Sequence, residues 1–415
     1  MERNTTIEQT KNNSLRTWLL VIGVILIAAN LRAPLTSIGS LISFIRTDLE
    51  ISHALAGTIT TLPLLAFAVL SPFAPKIARR MSMEYTLFLS LVLLAVGVIL
   101  RSLFGTGALF LGTLFIGMAI AFGNVLLPGF VKMKFPLKVG VMTGIYAVFM
   151  NIFAALASGV SVPLSSVGQL GWEGSLAFWS VPALLAIIIW IPQLKEGKMS
   201  AQVNDEANSQ NKSNLLRSPL AWCITLFMGL QSLIFYTLVT WLPEILQGVG
   251  YSSSAAGWML FLMQFAIIPV TFIIPIIAER MDNQKGLSVM TALFFIIGIS
   301  GLFVGNPIII PISVILIGVA GGTAFSLSMM FFSMRTSSAV EASEMSGMAQ
   351  SFGYLLAATG PFLFGALHDL TASWTVPLIM LLVVSVIILI VGVEAGKKKV
   401  INESVADKPQ TVGIS

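Results

Sequence analysis

Twelve apolar stretches follow one another along this chain, at 17–41, 54–74, 85–104, 107–131, 139–164, 175–194, 218–246, 254–278, 286–304, 308–333, 344–367 and 374–395. Each is near the roughly 20 residues that a helix needs to cross a bilayer. Backbone in hydrocarbon must satisfy its own N–H and C=O groups, so segments of this length predict helices and an all-α membrane protein. Composition agrees: of 415 residues, 56% are hydrophobic and 10% charged, where a soluble domain would carry about a quarter charged. The start (1–16) is polar and has no apolar core ending in a small-residue cleavage site, so the first span is expected to be retained.

Basic residues give the orientation. An even number of spans puts both termini on one face. That face receives Arg3, Lys11, Arg16, Lys76, Arg79, Arg80, Lys132, Lys134, Lys138, Lys195, Lys198, Lys212, Arg217, Arg280, Lys285, Arg335 and Lys397 to Lys399, whereas the opposite face holds only Arg46 and Arg101. The positive-inside rule then predicts cytoplasmic termini in the cell membrane. The net charge of +5 is accounted for by topology rather than by a nucleic-acid footprint. The single Cys223 excludes an internal disulfide, and with only His53 and His368 beside it no protein metal site is expected.

A repeat organises the chain. Ser52-His-Ala-Leu-Ala-Gly57 with Pro75-Lys-Ile-Ala-Arg-Arg-Met81 returns, ungapped, as Ser252-Ser-Ser-Ala-Ala-Gly257 with Pro275-Ile-Ile-Ala-Glu-Arg-Met281. A weaker echo pairs Met142-Thr-Gly144 with Met345-Ser-Gly347, each followed by an Ala-Ala pair, Ala154-Ala155 and Ala357-Ala358. The expected division is a six-helix half over 1–192, a polar cytoplasmic linker over 193–217, a second six-helix half over 218–395 and a cytoplasmic tail over 396–415. Two repeated halves in the same orientation describe a carrier with its binding site near the bilayer midplane.

The polar residues select which spans face that site. Arg32 sits deep in the first span, and a cation there costs roughly 2.5–3.5 kcal/mol even on the lenient insertion scale. Asn30, Thr60, Thr61, Asn124, Tyr146, Asn151, Gln231, Tyr236, Gln264, Ser326, Ser328, Gln350 and Tyr354 fall on spans 1, 2, 4, 5, 7, 8, 10 and 11. Spans 3, 6, 9 and 12 lack amides in their apolar cores and are expected to face lipid.

The run Asn30-Leu-Arg-Ala-Pro34, with Trp241-Leu-Pro243 and Gly360-Pro361…Gly365…His368-Asp369, resembles the cyanate porter (cyanate/nitroimidazole transporter) branch of the major facilitator superfamily. The resemblance covers the whole transmembrane chain. It implies the two-half, twelve-helix fold, alternating access, and cyanate-like or nitroimidazole-like solutes. One departure stands out: the superfamily's loop motif Gly-x-x-x-Asp-Arg appears here as Ala74-Pro-Lys-Ile-Ala78-Arg79, which keeps the base and lacks the acid.

Arg32, Asn30, Asn124, Asn151, Tyr236, Gln264, Gln350 and Tyr354 are therefore the candidate substrate-binding residues. Arg32 offers a planar donor fork to carboxylate, cyanate or nitro groups, against a structural role bonded to helix carbonyls or amides such as Asn151. The amides could hold a polar solute or join helices, and the tyrosines could stack on a flat one. Trp241 is a candidate gate or membrane-interface anchor. Glu244 and Asp369 are candidates for gating or coupling, with solvated helix-end charges as the alternative. Uniport, exchange with a counter-ion and proton symport all remain open. An exporter of drug-like or lipophilic compounds on the same fold is the rival function. No cofactor and no nucleotide-binding loop are expected, no nucleophile–base pair at membrane depth suggests an enzyme, and nothing requires more than a monomer.

Overall fold

The structure, a computed structural model, describes residues 18–103, 105–135, 138–194, 215–337 and 339–401. Most of the expected linker and the end of the tail (195–214 and 402–415) lie outside the described residues. The spans are α1 (Trp18–Leu49), α2 (His53–Leu70), α3 (Met83–Leu103), α4 (Gly105–Lys134), α5 (Val139–Ser166) and α6 (Gly171–Gln193). They continue as α7 (Pro219–Gly248), α8 (Ser253–Arg280), α9 (Lys285–Val304), α10 (Ile309–Met334), α11 (Ala339–Thr371) and α12 (Thr375–Ala395). Eleven of them are long and apolar enough to cross a bilayer. The other, α11, has the length, but Glu341, Glu344, Gln350 and Tyr354 interrupt its hydropathy.

The repeat folds twice into the same local structure. Ser52 caps α2 by accepting from the Leu55 N–H, and Ser252 caps α8 by accepting from the Ala255 N–H. A cap hydroxyl satisfies one of the N–H groups that a helix start leaves orphaned. Five residues into each motif comes a glycine. At Gly57 an added Cβ would collide with the Pro361 carbonyl of α11, and at Gly257 it would stand 3.0 Å from the Ser158 carbonyl of α5. The motif thus specifies a backbone-close approach between early and late helices, α2 on α11 and α8 on α5. These are the two extensive contacts between α1–α6 and α7–α12, with α1 against α7 between them. The halves differ in one detail. The second runs unbroken through Pro275 to Arg280, whereas the first ends α2 at Leu70 and restarts as a short helix, Ala74–Met81.

Chain direction defines two ends of the bundle. At one, the terminal face, the end of α12 meets the α8–α9 turn and the end of α10: Gly396 accepts from the Gln284 N–H, and Arg335 donates to the Ala395 and Gly396 carbonyls. The connections α1–α2, α7–α8 and α11–α12 lie at the other, the far face. The amide-poor helices present apolar faces outward, as expected. On α12, Ile379, Val383, Val386, Ile387 and Ile390 are exposed, while Leu378, Leu381, Ile388 and Val391 are buried against α7 and α9.

Candidate functional site

Helix α1 breaks in the middle. Proline at 34 has no N–H to give the Asn30 carbonyl, Leu31 and Arg32 form a turn, and a new helix starts at Ala33 with Arg32 at φ −129°, ψ −37° as its cap. The break places Arg32 beside the positive N-terminal end of a half-helix inside the membrane. Arg32 Nη1 donates to Asn151 Oδ1 at 2.8 Å, and Asn151 Nδ2 donates to the Ala147 carbonyl at 2.9 Å, which turns the amide oxygen toward the guanidinium. Arg32 Cζ lies 5.2 Å from the ring centre of Phe235 (α7) and 5.6 Å from that of Phe325 (α10).

These residues wall a cavity of about 30 Å³ lined by Arg32, Asn151, Gln231, Ser232, Phe235, Tyr236, Ile267, Thr271, Gly321, Phe325 and Tyr354. That is room for a water or two, so a larger solute requires the walls to part. No carboxylate among the described residues lines it. A shallow groove of about 1060 Å³ at the far face, between the ends of α1, α5, α7 and α8, is larger but wide open.

Four sequence candidates meet at the cavity: Arg32, Asn151, Tyr236 and Tyr354. The other four do not line it. Asn30 is buried and its Nδ2 is spent on the Leu26 carbonyl of its own helix at 2.7 Å. Gln264 bonds Ser158 Oγ and the Ala154 carbonyl of α5, fastening α8 across the halves. Gln350 donates to Ser346 Oγ one turn away at 2.9 Å. Asn124 is half-buried on α4 and makes no hydrogen bond among the described residues. The cavity also includes Gln231, whose amide bonds Ser232 Oγ at 2.7 Å, and the two phenylalanines. An apolar ring in an apolar span carries no sequence signal of its own.

The gating candidates gather at the far face with partners the sequence did not point to. Trp241 is fully buried and donates to the Pro361 carbonyl at 2.9 Å, which removes the interface-anchor alternative. Glu244 pairs with Arg46 of α1 and lies 3.1 Å from His53 Nε2. Asp369 accepts from the backbone N–H groups of His53 (3.1 Å) and Ala54 (2.8 Å), capping α2 from α11, and its Oδ1 lies 2.7 Å from His53 Nδ1. The His368 ring centre lies 4.0 Å from those of both His53 and Trp374, with the rings tilted by 45° and 36°. The helix-end charges are therefore bonded to one another across the two halves. Side chains lean toward the start of their own helix, so α1, α7 and α11, all ending at this face, turn Arg46, Glu244, His368 and Asp369 inward.

The same lean corrects the expectation for Arg101. The sequence grouped it with Arg46 at the far face. Instead it is fully buried, and its Nη1 donates to the Pro34 carbonyl at 2.6 Å, tying α3 to the broken helix. Arg101 is thus a second cation inside the bundle beside Arg32.

The Major Facilitator Superfamily model matches residues 20–360. The chain belongs to that superfamily. Within the Major Facilitator Superfamily it is 46% identical to the uncharacterized transporter YycB of Bacillus subtilis (strain 168), over 95% of this chain and 97% of that one. It is 40% identical to the 2-nitroimidazole transporter of Escherichia coli (strain K12), over 92% and 97%, and 23% identical to the cyanate transport protein CynX of the same organism, over 86% and 91%. These relatives match the cyanate/nitroimidazole branch. The crystal structure of the nucleoside transporter NupG shares the fold, with TM-score 0.71 and 15% identity over 92% of this chain and 100% of that one. The protein is a multi-pass membrane transporter and not an enzyme.

Proposed function

We propose that the protein is a secondary carrier that moves a small, flat, anionic or polar solute across the cell membrane by alternating access, with both termini in the cytoplasm. The observation that carries this reading is Arg32: a guanidinium with one hydrogen bond to protein among the described residues, placed at a helix break against a cavity that no described carboxylate lines. Its remaining donors suit a planar acceptor such as a nitro, carboxylate or cyanate group. Phe235, Phe325, Tyr236 and Tyr354 supply ring faces for a flat body. The 2-nitroimidazole transporter and CynX, as relatives, support nitroimidazole-like or cyanate-like compounds as the substrate class. The two sets of six helices would part alternately at the terminal and far faces, and the far-face contacts described above mark the state that is closed there. Basic residues crowd the terminal face, which supports its being cytoplasmic.

The test is a thermal-shift panel on purified protein with 2-nitroimidazole, cyanate, nitrate, small carboxylates and unrelated neutral drugs, repeated on Arg32→Gln. A ligand at a hundredfold excess over Kd stabilises by about 2.7 kcal/mol. Losing a hydrogen bond to a charged group costs about 1.5–3 kcal/mol, roughly a 10- to 150-fold loss of affinity. Stabilisation by one planar acceptor class that falls by that factor in Arg32→Gln is the expected result. Stabilisation by chemically unrelated neutral drugs that persists in the variant would replace this reading with the lipophilic exporter.

A further inference from the structure

We propose that the far-face gate binds a divalent transition-metal ion of zinc-like softness through His53, His368 and Asp369, with Glu244 adjoining, and that the bound ion holds the two halves together at that face. His53 and His368 lie in different halves, so their sequence spacing hides the group. In the fold, one ligand atom from each of His53, His368 and Asp369 lies within 4.8 Å of the others. A tetrahedral zinc with bonds near 2.0–2.2 Å sets its ligand atoms about 3.4 Å apart, which side-chain rotations of these three residues can reach.

Three further observations point to a cation here. First, His368 Nδ1 and Glu244 Oε2 are buried with no hydrogen-bond partner; such groups in a native interior call for a partner. Second, His53 presents both ring nitrogens to carboxylate oxygens, Nδ1 to Asp369 at 2.7 Å and Nε2 to Glu244 at 3.1 Å. A neutral imidazole can donate on one side only, leaving a lone pair against an oxygen on the other. A cation shared by ring and carboxylate removes that repulsion. Third, Glu244 and Asp369 bring two negative charges against the single positive charge of Arg46, so with neutral imidazoles the cluster carries a net negative charge. The donor set of two imidazoles and a carboxylate suits zinc and its neighbours; calcium and magnesium prefer six or more oxygens. Trp241 and Trp374 pack on the imidazoles, while Asp369, with 29% of its side chain exposed, leaves a way in from the far side.

Because the ligands come from α2 on one side and α7 and α11 on the other, the site is complete only when the far face is closed. An ion that binds that arrangement alone shifts the population toward it. The lock rests on the alternating-access reading; the binding does not.

The test uses the full chain in detergent after chelator treatment. Zinc uptake and thermal unfolding are measured with zinc and with magnesium, for wild type, His368→Gln and His53→Gln. Nitroxide labels at Val167 and Ile308, exposed on the two halves at this face, report its opening by pulsed electron–electron distance measurement. Wild type is expected to take up about one zinc per chain, unfold at higher temperature with zinc but not magnesium, and narrow its label distances to the short population. Each variant should bind zinc at least the roughly 10–100-fold more weakly that loss of even an orienting neighbour costs a metal site. Should one variant misfold, the other still decides. Equal zinc uptake in wild type and variants, or a response to pH with none to zinc (protonated His53 then sufficing), overturns the site. Zinc binding with unchanged distances overturns the lock. Solute binding at Arg32 is a separate readout, so failure here leaves the carrier reading standing.

Discussion

Arg32 is held by modest partners. Its desolvation of roughly 2.5–3.5 kcal/mol is opposed by one charge-assisted hydrogen bond worth about 1.5–3 kcal/mol and by two aromatic faces worth about 0.5–2 kcal/mol each. The balance closes without a carboxylate and leaves most of the donor fork without a hydrogen bond among the described residues, as the proposed solute contact requires. Asn151 is the sensitive neighbour. Asn151→Asp places a carboxylate in the same space and neutralises the guanidinium. Thermal stability should stay within about 1 kcal/mol or rise, while affinity for an anionic solute falls roughly tenfold or more. Parallel melting curves and ligand titrations check this, and undiminished anion affinity would show that Arg32 sets no field for the solute.

At the scale of the element, the break in α1 and the glycines of the repeat matter most. Pro34→Ala restores the N–H that the Asn30 carbonyl lacks, and Pro34 itself sits in the first turn of the half-helix that starts at Ala33, where a proline is tolerated. A straighter α1 would carry Arg32 away from Asn151, so the variant is expected to melt no lower than wild type yet bind solute more weakly. A variant that keeps wild-type affinity would show that the break does not position the arginine. Gly57→Val tests the helix contact instead. Its side chain meets the Pro361 carbonyl, and an overpacking cost of about 1–3 kcal/mol should appear as a lowered melting temperature. The same substitution at Gly107, where an added Cβ meets nothing within 4 Å, should cost less.

Across the whole molecule, partly buried polar contacts help close the far face between the halves, among them Arg46–Glu244, Glu244–His53 and the Asp369 cap on α2. Removing one partner of a partly buried ion pair leaves the other charge uncompensated. Glu244→Gln is therefore expected to populate the open far face, lengthening the distances between labels at Val167 and Ile308. A distribution identical to wild type would place the closing energy in the α2–α11 packing instead.

Much of this was legible in the sequence. Helix number, class and the two-fold repeat follow from span length and from Ser52/Gly57 recurring as Ser252/Gly257, because bilayer thickness and backbone hydrogen bonding act on each segment separately. That Arg32 would need a polar partner inside the bundle was also legible, since a charge in an apolar span is costly wherever the span sits. The sequence did not show which polar residues would meet. Asn30 and Gln350 satisfy themselves within their own helices, Gln264 fastens α8 to α5, and Phe235 and Phe325 enter the cavity with no local mark to distinguish them. Nor did it show that Arg101 reaches Pro34, or that His53, Glu244, His368 and Asp369 would converge. Periodicity and composition set what each helix must do with its own backbone and faces. Which side chain meets which depends on helix rotation and tilt and on side-chain lean, and these are fixed only when the two halves pack.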